Sequence, residues 1–355
     1  MLPTVTYGDA VGNDVIALDR VLKKAGYRTG IYAERIGQKI PAGLARSISK
    51  VPKLKDDDVI IYHFSTGTGL NFRLPEYNGR KILVYHNVTP SEYFSGYSVS
   101  AWNLCRYGIE GAEFLSDKVE YCLADSEFNK QNLRDLGYKC PVDVLPILIP
   151  FDDYRKAPNK RILERYSGDG YINLLFTGRI APNKCQEDVI AAFYQYHKNY
   201  NERSRLFLVG NYSGMEVYHD ELVRYAKELG IGDNVIFTGH IGFDEILAYY
   251  HNADLLLCMS EHEGFCVPLV EAMFFDIPII AYDSSAIAGT LGGSGFLLKE
   301  KNPLETAGVM NYIMQNKDFS ETMKKTQRER LKDFDHEVVE KQFLNYMDSF
   351  ANKRI

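Results

Sequence analysis

Two glutamates, Glu263 and Glu271, bracket the stretch of this sequence with the most chemical promise. The apolar run 255–259 before them is typical of a buried parallel strand, and 267–275 has the spacing of a buried helix. The first carboxylate is therefore predicted at the carboxyl end of a strand, where open α/β sheets bind ligands. The second is predicted about two turns later, inside the helix. This arrangement suits a ligand with hydroxyls at both ends and an anionic middle, such as a nucleotide sugar; an unrelated surface Glu and helix Glu are the plainer alternative.

Two cations follow another predicted strand, 172–177, and Gly178 comes directly after that strand. Arg179 and Lys184 are expected on the loop before the next helix. An Arg fork and a Lys point charge at a strand end can together hold a diphosphate. Positive charge placed where the leaving diphosphate develops its charge is the main requirement for glycosyl transfer from a nucleotide sugar. The alternative is a solvated pair of surface cations.

The order of these residues resembles a known family. The segment 260–273, with 278–283 after it, resembles the signature of glycosyltransferase family 4, and 178–184 is similar to that family's Gly-Arg-x-x-x-x-Lys motif. The resemblance implies an α/β protein of the GT-B fold, with two facing Rossmann-like domains and a deep interdomain cleft. It also implies a retaining, nucleotide-sugar-dependent enzyme that needs no metal. The sequence departs from the family at Cys185, where Gly is usual.

The resemblance assigns roles to individual residues. It implies that His86, Glu263, Arg179 and Lys184 are catalytic, with Glu263 beside the donor sugar and Glu271 on the ribose hydroxyls. It places 238–241 around the nucleobase, and it likens 209–214 to a Gly-rich loop that here lacks the usual acidic residue. The donor-binding residues implied in this way are Gly8, Asp9, Gly12, Gly178, Arg179, Lys184, Gly210, Asn211, Gly239, His240, Ile241, Glu263, Gly264, Phe265, Cys266, Val267 and Glu271.

Several of these assignments have an ordinary alternative. His86 ends a predicted strand, 82–86, and a histidine there is commonly packed in the core or solvated. The loop 7–14 is similar to the family's first Gly-rich loop, yet it could be a plain surface turn. Its glycines do not have the dinucleotide spacing, which argues against a nicotinamide enzyme. His240 could stack on the base or be a turn residue.

Strands and helices alternate twice along the chain, which predicts two parallel sheets covered by helices. The first block, 1–150, is the predicted acceptor-side domain, and the polar stretch 152–160 marks the boundary. The second block, 151–335, is the predicted donor-binding domain. In enzymes of the resembling family the last helix crosses back, so the helix at 336–355 is expected to pack on the first domain.

Composition excludes several classes of protein. The six cysteines are scattered without a Cys-x-x-Cys pair, so a zinc or disulfide framework is not expected. No window resembles a membrane span or secretory signal, so a cytoplasmic protein is expected. Residues 20–55 carry ten Lys or Arg and one acid, which favours either an anionic membrane contact or a solvated basic helix and loop. The acidic pI and the lack of a basic aromatic motif argue against nucleic acid.

These observations predict a glycosyltransferase that moves a hexose from a GDP- or UDP-sugar to a hydroxyl of a growing glycan, either free or lipid-linked. Two alternatives remain open: a nucleotide-sugar 2-epimerase, which would release a free epimer without an acceptor, and a noncatalytic nucleotide-sugar-binding protein, which would bind without transfer.

Overall fold

The computed structural model describes residues 1–352 and divides them into two compact α/β units. Unit 1 consists of residues 1–92, 100–150 and the chain from 333 onward. Unit 2 consists of residues 93–99 and 151–332. Every strand pair in both units is parallel, so the predicted α/β class with two Rossmann-like domains is confirmed.

Unit 1 contains two sheets. The first has the strand order β1-β2-β3 and the second β4-β5-β6-β7. Met1 lies beside β4, since its carbonyl accepts from the His63 N–H at 2.9 Å. The seven strands are β1 (Leu2–Val5), β2 (Ile31–Ile36), β3 (Ala45–Ser47), β4 (Val59–Phe64), β5 (Arg80–Tyr85), β6 (Tyr121–Ala124) and β7 (Val142–Val144).

Four helices of unit 1 connect these strands. They are α1 (Ala10–Lys24), α2 (Gly69–Arg73), α3 (Val99–Leu115) and α4 (Glu127–Asp135). Side-chain oxygens of Asp9 and Ser126 cap the first turns of α1 and α4, because they accept from otherwise unbonded backbone N–H groups. These caps place both helix amino termini at the carboxyl ends of the strands that precede them.

Unit 2 is built on one six-stranded sheet with the order β10-β9-β8-β11-β12-β13. Its central strands are almost entirely apolar and buried, as expected for strands covered by helices on both faces. The strands are β8 (Ile172–Thr177), β9 (Ser204–Val209), β10 (Val235–Phe237), β11 (Leu255–Cys258), β12 (Ile279–Tyr282) and β13 (Phe296–Leu298).

Nine helices of unit 2 surround this sheet within the described chain. They are α5 (Phe151–Tyr154), α6 (Lys160–Tyr166), α7 (Gln186–Asn199), α8 (Glu216–Glu228), α9 (Phe243–Asn252), α10 (Val267–Phe274), α11 (Ile287–Leu291), α12 (Pro303–Gln315) and α13 (Lys317–Leu331). The chain then returns to unit 1 as α14 (His336–Ala351). There Phe343 and Phe350 are buried against α1 and the second sheet, and Arg80 donates to the Phe350 carbonyl at 2.7 Å.

The sequence-based boundaries hold within a few residues for most of the predicted elements, but the short elements α2, α5, α6, α11 and β13 were not predicted. Two further regions differ. Residues 20–55 were expected as helix and loop, but they contain strands β2 and β3. Gly12 lies in the first turn of α1, whereas a loop was expected there. No helix among residues 1–352 combines the length and apolar character needed to cross a bilayer.

Candidate active site

The predicted cation loop begins where β8 and β9 approach each other closely. Gly178 has a φ of +135°, which L side chains rarely adopt. A Cβ on Gly210 would lie 1.7 Å from the Gly178 carbonyl oxygen, so only glycine fits at that position. Arg179 follows Gly178 at this close approach, and its side chain donates to the Ser213 carbonyl at 3.2 Å. The two glycine-containing loops therefore form one backbone surface at the carboxyl edge of the sheet.

Lys184 and Glu263 form an ion pair in this region. The Nζ of Lys184 lies 2.6 Å from Oε2 of Glu263, and the two side chains are 20% and 11% exposed. Burial alone would lower the pKa of Lys184, but the Glu263 carboxylate and two nearby thiols raise it overall. Lys184 therefore carries its charge, and one of its three N–H donors is directed at the carboxylate.

The loop that carries Glu263 is held by partners that sequence reasoning missed. The Glu263 N–H donates to Ser285 Oγ at 2.9 Å, and Ser284 Oγ donates to the Ser260 carbonyl at 2.6 Å. The Asn183 side chain donates to the His262 carbonyl at 3.1 Å. Small polar residues after β12 gave no recognisable sequence signal, because hydroxyls serve many purposes in loops.

Two cysteines next to this ion pair have a strained backbone conformation. Cys185 has a φ of +49° and Cys266 a φ of +73°, the left-handed region that favours glycine. Cys185 replaces the glycine usual in the resembling family, and its left-handed conformation costs about 1–2 kcal/mol. Cys266 directly precedes α10, in which Pro268 occupies the first turn as predicted.

Glu271 is held by two tyrosines. Tyr154 donates to its Oε1 at 2.7 Å and Tyr250 to its Oε2 at 2.5 Å. Tyr250 also shares a hydrogen bond of 2.6 Å with Thr177 at the end of β8. Burial raises the pKa of Glu271, while both tyrosine hydroxyls oppose that rise. Thr177 lines the same small cavity as Glu263, so the two glutamates lie on one side of the sheet edge.

The predicted Gly-rich loop 209–214 and the predicted nucleobase loop 238–241 follow the neighbouring strands β9 and β10. Asn211 accepts from the Ile180 N–H at 3.0 Å, which ties the loop to the cation loop. Tyr212 stacks on His219 with the ring centroids 3.9 Å apart, and it packs near Gly239, whose φ is +66°. His240 is exposed and Ile241 is half-buried. Sequence reasoning missed Tyr212, which offers an aromatic face among these loops.

The unit 1 residues cluster at the beginning of α1. Gly8 has a φ of +83°, and the Asp9 carboxylate accepts from the Gly12 N–H at 3.1 Å. A Cβ on Gly12 would lie 2.3 Å from the Thr6 carbonyl, so this turn requires glycine. Burial raises the pKa of Asp9, opposed by the Gly12 N–H and the charge of His86.

His86 is the predicted catalytic residue whose surroundings differ most from expectation. Its side chain is 2% exposed and both ring nitrogens have partners: Nδ1 lies 2.8 Å from Asp125 Oδ2, and Nε2 lies 2.9 Å from His63 Nδ1. A catalytic histidine was expected to point out of the sheet edge. Here it is a member of a buried polar chain whose other members were not predicted.

The structure thus groups the predicted residues into two sets. Unit 2 brings together Gly178, Arg179, Lys184, Gly210, Asn211, the loop 263–267 and Glu271 at one sheet edge, with Gly239, His240 and Ile241 following β10 at the same edge. In unit 1, Gly8, Asp9, Gly12 and His86 lie around the start of α1.

Comparison with known proteins gives a consistent result. Residues 162–330 match the family described as glycosyl transferases group 1. The chain is 24% identical over 73% of its length to the lipopolysaccharide 1,2-N-acetylglucosaminetransferase of Salmonella typhimurium, and 24% identical over 74% to the O-antigen chain mannosyltransferase B of Escherichia coli. It spans 63% of the first of these relatives and 66% of the second.

Solved structures resemble the whole fold. Sucrose-phosphate synthase from Thermosynechococcus elongatus aligns with a TM-score of 0.76 at 17% identity, covering 99% of this chain and 96% of that one. Anabaena HepE in complex with UDP-glucose aligns with a TM-score of 0.75 at 18% identity, covering 98% and 99%. These glycosyltransferases have the GT-B fold, so the predicted fold class is confirmed.

Proposed function

We propose that this chain, in which residues 162–330 form a glycosyltransferase domain of the group 1 family, transfers a hexose from a nucleoside-diphosphate sugar to a hydroxyl of a growing glycan, with retention of anomeric configuration. The observation that carries the proposal is the Lys184–Glu263 ion pair of 2.6 Å at the carboxyl edge of the unit 2 sheet. The pair supports the proposal because it joins a cation to the acid that we assign to the donor sugar.

The cation loop supplies the charge that the leaving group needs. As the bond between the anomeric carbon and the diphosphate breaks, negative charge develops on the phosphate oxygens. Lys184 keeps its proton because Glu263 raises its pKa, and it has further N–H donors for a phosphate oxygen. Arg179 emerges from the same loop and provides a second cation. Fixed positive charge of this kind stabilises the transition state more than the ground state.

The two glutamates have different tasks in this scheme. Glu263 accepts hydrogen bonds from donor-sugar hydroxyls, and its pairing with Lys184 fixes where it points. Glu271 accepts from the ribose hydroxyls. Both oxygens of Glu271 already accept a tyrosine O–H, but a carboxylate has about four acceptor sites, which leaves capacity for a diol.

Retention follows, in this proposal, from departure and attack on the same face of the sugar. The carboxylate beside the donor sugar, Glu263, is held by Lys184, which lowers its suitability as a covalent nucleophile. The departing phosphate can then accept the proton of the attacking hydroxyl. The anomeric configuration of the product, read by NMR, tests this step: an inverted product contradicts it.

Donor identity is tested by incubating the full chain with UDP-glucose, UDP-N-acetylglucosamine and GDP-mannose and following nucleoside diphosphate release with and without a glycan acceptor. The proposal is supported if one donor gives nucleoside diphosphate release that depends on the acceptor. This release should be lost in Lys184→Ala and kept in Lys325→Ala, which changes an exposed lysine. Release of a free epimer without acceptor, or binding without release, favours the two alternative functions.

The acceptor and location belong to the same proposal. The named relatives act on lipopolysaccharide and O-antigen chains, which supports a polysaccharide or lipid-linked acceptor for this chain. The ten basic residues between 20 and 55 support peripheral docking on an anionic cytoplasmic membrane face. Sedimentation with anionic and neutral vesicles tests this: equal recovery with both contradicts docking.

A further inference from the structure

A chain of four buried polar side chains crosses unit 1 behind its strand ends. Asp125 follows β6, His86 follows β5, His63 lies in β4 and Asp14 lies in α1. The side chains of all four are between 2% and 4% exposed. Polar groups buried to this extent must satisfy one another, because desolvation without a partner costs several kcal/mol.

The geometry of the two rings indicates a hydrogen bond along their planes. Nδ1 of His63 and Nε2 of His86 are 2.9 Å apart, the ring centroids are 5.2 Å apart, and the planes differ by 15°. Rings stacked face to face are kept about 3.5 Å apart by van der Waals contact, which is more than the distance between these two nitrogens. The two imidazoles therefore meet edge to edge, with a single proton between the facing nitrogens.

Neighbouring charges determine which ring holds that proton. Burial disfavours a charge on His86, but the Asp125 carboxylate at 2.8 Å, followed by Asp14 and Asp9, raises its pKa overall. Burial lowers the pKa of His63 well below its ordinary value, and the charge of His86 and the amino terminus of Met1 lower it further. His86 is thus the imidazolium, donating Nδ1–H to Asp125 and Nε2–H to the neutral His63.

We propose that His63 is a positioning residue for His86: by accepting the Nε2–H, it fixes the rotamer and the doubly protonated form of that ring. This inference rests on the proposed function together with the catalytic role that the family resemblance implies for His86. It changes what His86 does there. With both nitrogens occupied, His86 acts through its fixed charge and through the loop that begins at Asn87.

The adjoining residues support this role. Asn87 has a φ of +74° and donates its side-chain N–H to Asn129 Oδ1 at 2.6 Å, and Asn129 donates to the Tyr85 carbonyl at 3.2 Å. The backbone on both sides of His86 is therefore held in place. Asp14, whose Oδ1 accepts from the Leu148 N–H at 2.9 Å, closes the far end of the chain, with its Oδ2 3.7 Å from His63 Nδ1.

A metal ion is the competing occupant of this chain. One ligand atom each from Asp14, His63 and His86 lies within 4.8 Å of the others. Two nitrogens bound to one tetrahedral zinc at about 2.0–2.1 Å would be about 3.4 Å apart. The observed 2.9 Å matches a hydrogen bond instead, so the geometry favours the shared proton, and zinc binding becomes an outcome of the test.

The experiment compares the full-length protein with His63→Asn, His63→Leu and the surface control His336→Gln, using nitrogen-15 NMR of the histidine rings. The His86 signals are identified by their loss in His86→Gln. An Asn amide places an acceptor near the position of Nδ1, whereas Leu does not. In the wild type and His63→Asn, both nitrogens of His86 are expected to be protonated near neutral pH. In His63→Leu, the pH midpoint of His86 is expected to move by about one unit.

Donor kinetics give a second readout. The expected result for His63→Leu is a fall in kcat of about 10- to 100-fold with little change in nucleotide affinity, largely restored in His63→Asn. Melting curves show whether each variant folds. If His63→Leu does not fold, His63→Asn decides alone: loss of the doubly protonated form of His86 in that variant would contradict the inference. Unchanged His86 signals in a folded His63→Leu variant, or one equivalent of zinc bound by the wild type and lost in His63→Leu, would overturn the inference. The NMR measurement does not depend on glycosyl transfer. A protein without turnover would therefore contradict the proposed function and leave the inference about His63 to be decided by NMR.

Discussion

The ammonium of Lys184 and the carboxylate of Glu263 are 2.6 Å apart, although the residues are separated by the whole of α7, β9, α8, β10, α9 and β11. The pair joins the loop after β8 to the loop after β11, and these two strands are neighbours in the sheet. The parallel sheet therefore brings the proposed phosphate-binding cation and sugar-binding acid together at its carboxyl edge.

Lys184→Ala is expected to lower kcat by about 100- to 1000-fold, because it removes a charge positioned for the leaving diphosphate. The same change leaves Glu263 as an unpaired, mostly buried carboxylate, so a small fall in melting temperature is also expected. Steady-state kinetics with the active donor measure the effect. Lys325→Ala, on an exposed part of α13, is the matched control and should behave as wild type.

Tyr250→Phe is expected to weaken nucleotide binding by about five- to tenfold, since a hydrogen bond to a buried charged group contributes on the order of 1–2 kcal/mol. The substitution frees one oxygen of Glu271 and leaves Thr177 without this partner. Isothermal titration with nucleoside diphosphate gives the affinity. Tyr200→Phe, at an exposed tyrosine, provides the comparison, and equal affinities for the two variants would remove the positioning role of Tyr250.

Gly210→Ala should destabilise the protein and abolish donor binding, because the added Cβ would lie 1.7 Å from the Gly178 carbonyl oxygen. Gly289→Ala is the matched control: it lies in α11, and no atom lies within 4 Å of the added Cβ. This control should stabilise the helix by about 0.5–1 kcal/mol. Urea melts of both variants distinguish the two outcomes, and similar midpoints would contradict the close approach.

Asp14 is expected to make the free energy of unfolding depend on pH with the sign opposite to that of a carboxyl group whose pKa is lowered by folding. Burial, as the largest cause, raises its pKa from 3.8 to about 7. The folded protein thus binds more protons than the unfolded chain between these values, so this group's contribution to the free energy of unfolding falls as pH rises from about 4 to about 7. Asp14→Asn should remove that part of the dependence. Urea melts of both proteins at pH 5 and pH 7.5 measure the difference, and a constant difference would contradict the shift.

Phe343→Ala should lower the free energy of unfolding by about 3–5 kcal/mol, because a fully buried phenyl ring is lost from the packing of α14 in unit 1. Val338→Ala, on the same helix at a side chain that is 48% exposed, should have little effect. Thermal melts compare the two. Similar stabilities would show that the last helix contributes little to unit 1.

The sequence alone was enough to predict the chemistry that is proposed for unit 2. The types and spacing of Arg179, Lys184, Glu263 and Glu271 indicated a diphosphate-sugar site, and the apolar strand runs placed those residues at the carboxyl edge of a sheet. Periodicity also located the helices and strands within a few residues. Several short elements were missed, among them the strands β2, β3 and β13 and the helices α5 and α6, since brief segments carry little periodic pattern.

The partners of those residues depended on the tertiary structure. Tyr154 and Tyr250 on Glu271, Ser285 on the Glu263 loop, and His63 and Asp14 behind His86 come from distant parts of the chain. Local sequence fixes which helix or strand a segment forms, because that depends on neighbouring residues. Which polar side chains meet once solvent is excluded depends on how the elements pack. Burial then determines which hydrogen bonds these side chains form and whether they are protonated. A local sequence pattern does not predict that burial.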